Sequence, residues 1–340
     1  MLTGCAAAAE HRSSRHLRQR RIDAGSAARH DCGPALMSPS PHMDQPPAPA
    51  AVADTQAGPG VLWMIVAMAC FVTMDSIAKE LVKTHSVVQV VWGRYFFQVA
   101  VLAVILAPRL RRLMVTVNLR LQLVRSLLLL VTTALYFTGL KFVPLAEASA
   151  IMMLAPLVVT ALSVPLLQER VGPRRWAGVI IGFAGAMVII RPGGDAMQLA
   201  ALLPLCAAVT HGFYQVSTRF LSHSESVLTT LCYSALLGAL VMSAAVPFQW
   251  TPLPPHAWGL LLGAGMFGTL GHFALIKAFT LAPAAAVAPF TYTNLIWAAS
   301  YGFLIFGEWP DVWTFVGAAV IAGSGLYIYH REKVVKHRES

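Results

Sequence analysis

The sequence predicts an all-α membrane protein: ten transmembrane helices arranged as two inverted five-helix repeats. Three observations predict it. First, 57% of the 340 residues are hydrophobic and only 12% are charged, where a soluble domain carries about 25% charged residues. The mean hydropathy of +0.64 points the same way. Second, apolar runs follow one another from Gly60 onward, each near the ~20 residues that a ~30 Å hydrocarbon core requires. Third, the stretch from Tyr136 to Arg191 is repeated from His272. Lys141 falls on Lys277 and Leu145-Ala146 on Leu281-Ala282; after a short gap, Glu169 falls on Glu308 and Gly178 on Gly317. A repeat of this kind has to be found first, because missing it misassigns the whole fold.

The chain opens on residues 1–58, rich in Ala, Pro, Ser, Arg and His and without an apolar span. That composition predicts a disordered, dispensable tail. Its Arg- and Ser-rich segment also imitates an organelle transit peptide, and Arg20-Arg21 imitates a twin-arginine signal with no apolar run close behind. Met37 or Met43 would serve as a later start. The predicted spans then run 61–81, 87–107, 121–140, 145–166, 175–190, 198–217, 227–247, 257–279, 284–306 and 312–330. A basic cytoplasmic tail, 331–340, closes the chain.

Lys and Arg set the orientation. Arg109, Arg111, Arg112 and Arg120, then Arg170, Arg174 and Arg175, then Arg219 and the C-terminal tail, share one side. The other side holds Lys83, Lys141 and Arg191, and the loops 248–256 and 307–311 hold no Lys or Arg. Both termini are therefore expected in the cytoplasm. The repeat extends back to the first helix: Asp75–Lys79 aligns with Gln215–Arg219, and Ser86 with Ser226. The halves are thus 61–190 and 198–330, five helices each. Five is odd, so the copies enter the membrane from opposite sides. An inverted repeat about a pseudo-two-fold in the membrane plane is a carrier architecture, with its site near the midplane.

Several classes are disfavoured. The net charge of +10 resides in the tail and the loops and forms no basic patch with interleaved aromatics, so no nucleic-acid partner is expected. No phosphate-loop, HEXXH or CxxC pattern occurs, and neither a metal nor a cofactor is expected. Cys70, Cys206 and Cys232 lie in apolar segments and read as small hydrophobes; Cys5 and Cys32 lie in the tail. The alternative function is an integral membrane enzyme acting on a lipid or phosphate substrate; a channel is a third class.

Charges inside a bilayer cost ~2.5–3.5 kcal/mol on insertion scales and mark function by default. Asp75 and Arg94 are placed at similar depth on consecutive helices, where an ion pair either locks the helices or reads substrate charge. Lys79, one turn from Asp75, is a rival partner or snorkels outward. Arg125 is expected to anchor at the headgroups, and Glu147 to head the fourth helix. His211 and His272 titrate in the range that a proton-coupled carrier uses, or pack with a hydrogen bond. Tyr136, the repeat partner of His272, joins Tyr214, Gln215, Tyr292, Asn294 and Trp297 as candidate cavity lining for a ring-bearing small molecule. Glu169 and Glu308 read as structural caps or loop anchors. Pro156 and Pro289 read as bends, at different levels in the two halves. The glycines of the fifth and tenth helices permit close packing, and through it a homodimer.

These residues resemble the EamA-type carriers of the drug/metabolite transporter superfamily. The resemblance rests on Gly139-Leu140, Ala148, Ala150, Pro156-Leu157, Gln168-Glu169-Arg170 and Gly178, Gly182 and Gly185 in the first half. In the second it rests on Ala284, Ala286, Pro289, Gly307-Glu308, Gly317, Gly323 and Gly325. It covers everything after the tail. The segments MDSIAK (Met74–Lys79) and WGRYFF (Trp92–Phe97) look like the branch containing S-adenosylmethionine and riboflavin carriers. The resemblance implies secondary transport of a small metabolite across a bacterial inner membrane.

Overall fold

A computed structural model of the chain describes residues 57–109, 113–168, 171–191, 199–221 and 224–339. The expectations for residues 1–56 and for Glu169 lie outside these residues. Among the described residues all regular structure is helical and no strand occurs. In chain order the helices are α1 (Ala57–Thr84), α2 (Val87–Leu106), α3 (Leu119–Leu140), α4a (Leu145–Met152), α4b (Ala155–Leu167) and α5 (Pro173–Ile190). They continue as α6 (Leu202–Leu221), α7 (Val227–Ala245), α8 (Pro255–Leu281), α9a (Ala284–Val287), α9b (Thr293–Phe306) and α10 (Val312–Glu339). By length and apolar character, α1, α2, α3, the α4a–α4b unit, α5, α7, α8 and α10 can cross a membrane, eight spans among the described residues. Helix α6, which carries His211, Gln215 and Arg219, and the interrupted ninth span fall outside that group.

Local chemistry explains the boundaries. Ser86 Oγ accepts from the Gln89 N–H at 3.2 Å and starts α2; its repeat counterpart Ser226 Oγ accepts from the Thr229 N–H at 3.0 Å and starts α7. Each hydroxyl satisfies a donor that the first helical turn leaves open. Helix α4 breaks at Met153-Leu154, just before Pro156, whose ring nitrogen has no proton to donate back to the Met152 carbonyl. In the other half Ala288–Tyr292, which contains Pro289, winds as a 3₁₀ segment. The two interruptions occupy equivalent places in the repeat, so the expected difference in bend level is not found: the prolines differ in register but disturb the same turn. Helix α9b ends on Gly307 at φ +66°. Glu308 N–H then reaches the Gly302 carbonyl at 2.9 Å and Gly307 N–H the Phe303 carbonyl at 3.0 Å, a glycine-based C-cap.

Among the boundaries that differ from the sequence prediction are two C-terminal ends. Helix α6 runs to Leu221 rather than 217, with Arg219 in its last turn, where a cation complements the helix dipole. Helix α10 continues to Glu339 rather than stopping at 330, so the expected tail extends the last helix.

Packing interleaves the halves. α1 lies on α8 as α6 lies on α3; α2 meets α8 as α7 meets α3; α1 meets α9b as α6 meets α4b. α2 also meets α7, α4a meets α9b, and α5 meets α10. The first three pairs match when the halves are exchanged, and the α2–α7 and α5–α10 contacts map onto themselves. At the α5–α10 crossing a Cβ on Gly317 would lie 2.6 Å from the Gly185 carbonyl oxygen, so these helices approach backbone to backbone. Those glycines are therefore occupied within the chain. Tyr95, Phe137, Leu140, Leu145, Ile151 and Leu157 are buried in the main core, while Leu62, Val104, Ile180, Leu240 and Leu304 face outward, apolar side chains suited to lipid.

Candidate functional site

One buried face of α3 is polar along its length. It carries Gln122, Arg125, Ser126, Thr132, Thr133 and Tyr136, at spacings that return to the same side of a helix. In a membrane helix such a stripe must face protein or a cavity. Here α3 packs on α1, α2, α6 and α7, with a cavity at one end and a packed seam at the other.

The cavity has a volume of about 460 Å³ and is walled by Tyr95, Arg125, Tyr214, Ser234 and His272, with Glu225 at its end. Nine residues separate His272 from the end of α8, so the cavity reaches about 13 Å along that helix at 1.5 Å per residue. Arg125 is 4% exposed. Its Nε donates to Thr218 Oγ1 at 2.7 Å, Nη1 to Ser234 Oγ at 2.7 Å and the Thr230 carbonyl at 3.1 Å, and Nη2 to the Tyr214 hydroxyl at 2.7 Å. The guanidinium also lies over the Tyr214 ring, 4.5 Å from its centroid. Arg125 is thus an interior residue, not the headgroup anchor that its place near a helix end suggested. His272 Nδ1 lies 2.7 Å from the Gly268 carbonyl, and its ring meets Phe71 edge-on at 5.0 Å. At the cavity end one Glu225 oxygen accepts from Thr116 Oγ1 at 2.5 Å and from the Val117 and Asn118 N–H groups at 2.6 and 3.3 Å. Slight burial opposes ionisation, but these donors outweigh it and hold the Glu225 carboxyl below the usual carboxylate range.

Deeper along the stripe lie Asp75, Arg94 and Tyr136, all buried. The expected Asp75–Arg94 ion pair is not formed. Arg94 donates to Thr133 Oγ1 at 3.2 Å and Met74 Sδ at 3.1 Å and stacks on Tyr95 at 4.7 Å. Asp75 is buried beside this group without an ion pair to Arg94, and the Tyr136 hydroxyl lies 3.2 Å from Ser149 Oγ. Equal depth brought the two near each other, but the nearer hydroxyls took the donors.

The seam at the other end belongs to Lys79. Its Nζ lies 2.9 Å from Glu308 Oε1 and donates to the Val143 and Leu140 carbonyls at 2.8 and 3.4 Å. The second Glu308 oxygen accepts from the Leu145 N–H at 3.1 Å. Lys79 therefore neither pairs with Asp75 nor snorkels outward: it neutralises Glu308 and closes the last carbonyl of α3 and that of Val143 in the turn beyond. Glu308 caps α4a from the opposite half of the chain, as its loop position suggested, and adds the ion pair. Alongside, Arg191 Nη2 meets Asp311 Oδ2 at 2.5 Å. Glu147 lies in the first turn of α4a.

Of the residues selected from sequence, Tyr214 and His272 line the cavity. His211 packs on Tyr214 with ring centroids 5.2 Å apart, and its Nδ1 is buried without a hydrogen-bond partner. Gln215, Tyr292, Asn294 and Trp297 are not part of the wall. Tyr292 instead packs its hydroxyl against Gly325, and Trp297 meets Tyr301 edge-on at 6.3 Å. Sequence reasoning missed Arg125, Ser126, Thr133 and Ser234. The available signal was the polar periodicity of α3, visible only when its residues are read together.

An interleaved bundle of apolar helices around a largely apolar cavity with a buried arginine on its wall is the build of a membrane transporter for small metabolites. The chain belongs to the EamA-like transporter family, which matches it twice, over residues 58–191 and 198–329. It is 32% identical to a riboflavin transporter of Vibrio cholerae, over 82% of this chain and 96% of the other. It is 29% identical to an S-adenosylmethionine uptake transporter of Rickettsia bellii, over 81% and 94%. The pseudopaline exporter CntI of Pseudomonas aeruginosa is 27% identical, over 81% and 97%. A solved crystal structure superposes with a TM-score of 0.58 at 18% identity, covering 83% of this chain and 99% of that one; the likeness is one of fold.

Proposed function

We propose that the chain is a secondary carrier of the bacterial inner membrane that works by alternating access, with ten spans in two inverted five-helix repeats and both termini in the cytoplasm. The observation that carries this reading is the asymmetry along the α3 stripe: a cavity toward Glu225 and a packed, ion-paired seam at Lys79–Glu308. The Lys and Arg distribution puts the Glu225 end in the cytoplasm, so the structure is inward-facing. Exchange symmetry of the helix contacts supports the inverted repeat, because a second state then follows from swapping the two packings. Asp75, Arg94, Tyr136, Tyr214 and His272 flank the route; His211 and His272 are the groups for proton coupling, if transport is not simple exchange. The aromatic wall and the riboflavin and S-adenosylmethionine carriers among the relatives support a ring-bearing metabolite as substrate.

The test is uptake of labelled riboflavin and S-adenosylmethionine by the purified chain in liposomes, with and without a pH gradient. Saturable uptake that empty liposomes lack supports the reading. Chemical conversion of lipid or phosphate substrates without uptake would replace it with the membrane-enzyme alternative.

A further inference from the structure

We infer that Arg125 is a specificity-determining oxyanion receptor, and that the transported molecule presents a carboxylate or phosphate to it. This deepens the carrier reading and rests on it. Arg125 is a buried cation on the cavity wall whose contacts are all neutral: the hydroxyls of Thr218, Ser234 and Tyr214 and the Thr230 carbonyl. Among the described residues no carboxylate lies within ion-pair distance of it. Glu225, the acidic residue in the cavity lining, turns one oxygen to Thr116 and the Val117 and Asn118 N–H groups instead.

Lys79 shows the contrast. It is equally buried, and it carries Glu308 as a built-in counter-ion. A guanidinium held by hydroxyls is oriented but not neutralised. Four of its five N–H groups are engaged here, so its planar fork meets the two oxygens of a carboxylate or phosphate by exchanging a neutral hydroxyl for one of them. The Tyr214 hydroxyl accepts from Arg125 and keeps its proton for an arriving oxyanion, whereas Ser234 and Thr218 donate theirs to the Thr230 and Tyr214 carbonyls at 2.9 and 2.8 Å. Ser126 Oγ, 3.4 Å from Ser234 Oγ, adds another hydroxyl. Tyr95, Tyr214 and His272 wall the same cavity and offer flat faces to the rest of the molecule.

Two measurements on the full chain in detergent test this. The first compares the melting midpoint with charge-matched probes: riboflavin against riboflavin 5′-phosphate, nicotinamide against nicotinate, and adenosine against adenosine 5′-phosphate. The anionic member of at least one pair should raise the midpoint by a few degrees, its neutral twin should not, and Arg125→Gln should lose the response. Phosphates responding alone, or the carboxylate alone, would tell which oxyanion is read. Equal response to neutral and charged twins, or a response retained in Arg125→Gln, overturns the inference.

The second measurement needs no ligand. Ser234→Asp places a carboxylate where the anion would sit, so it should melt higher than the neutral control Ser234→Asn and be insensitive to anions. A Ser234→Asp protein that melts below Ser234→Asn overturns the inference, whatever the probes do. If uptake in liposomes fails while these results hold, the carrier reading falls and the anion site stands.

Discussion

Neutralising Glu308 should open the packed end of the protein. Glu308→Gln keeps an oxygen that can accept from the Leu145 N–H, so the cap on α4a survives and only the charge is removed. Lys79 Nζ then retains two carbonyl acceptors and loses its counter-ion. The side chains of Lys79 and Glu308 are 5% and 29% exposed, between a surface pair worth ~0–1 kcal/mol and a buried pair whose breakage costs about 3–5 kcal/mol. A loss of about 1–3 kcal/mol follows, equivalent to roughly a 5- to 150-fold shift between states. Accessibility behind the seam reads that shift. Ser149 is buried, with its hydroxyl 3.2 Å from that of Tyr136, and Ser149→Cys in a chain otherwise free of cysteine gives a reporter. In cells treated with a membrane-impermeant maleimide, Glu308→Gln should label this cysteine faster by about that factor. Lys79→Met/Glu308→Gln should change little beyond the single change, because the pair is already broken. Labelling at the wild-type rate in both would refute the seam as a barrier.

Three further outcomes follow from the packing and the ion pairs. Asp311 accepts from Thr314 N–H and Oγ1 at 2.7 and 2.6 Å; slight burial opposes ionisation, but these bonds and Arg191 hold its carboxyl below the usual range. A depressed carboxyl stabilises above its unfolded pKa of about 3.9 and loses that contribution as pH falls through the folded value. Asp311→Ala should therefore melt lower at pH 7 by an amount equivalent to about 1 kcal/mol, and the gap from wild type should close below about pH 4. Gly317→Ala should cost about 1–3 kcal/mol through overpacking, read as lost expression and a lower midpoint, whereas Gly323→Ala, with no atom within 4 Å of the added Cβ, should be tolerated. Because Asp75 and Arg94 are near but not in contact, Asp75→Asn and Arg94→Gln should each reduce uptake and their combination should not restore it; restoration would re-establish the direct pair.

Much of the fold was legible because membrane helices leave strong signals. Apolar length located most of the helices but neither the interruptions of α4 and the ninth span nor the extension of α10 to Glu339, and Ser86 and Ser226, aligned by the repeat, start α2 and α7 by the same hydrogen bond. Glu308 was legible as a cap, since it follows a glycine at a helix end. Its ion pair was not, because Lys79 is remote in sequence and the contact exists only once the halves interleave. Arg94 was misassigned for a related reason: depth along a helix can be counted, but which hydroxyl or sulfur lies beside a guanidinium depends on helix rotation. Arg125 was misassigned because nearness to a helix end normally implies the headgroups, yet its partners on α6 and α7 hold it inside. Tyr292, Asn294 and Trp297 lie outside the cavity wall, with Tyr292 packed against Gly325 and Trp297 edge-on to Tyr301.

Solute counterflow tests the carrier claim most directly. Liposomes holding the purified chain are loaded with an unlabelled solute that the protein binds and diluted into a trace of the labelled form. A carrier that alternates its access predicts transient accumulation of label above equilibrium, abolished when Ser234→Trp fills the cavity beside Arg125. Label that rises only to equilibrium, or accumulation that survives the filled cavity, would contradict the account.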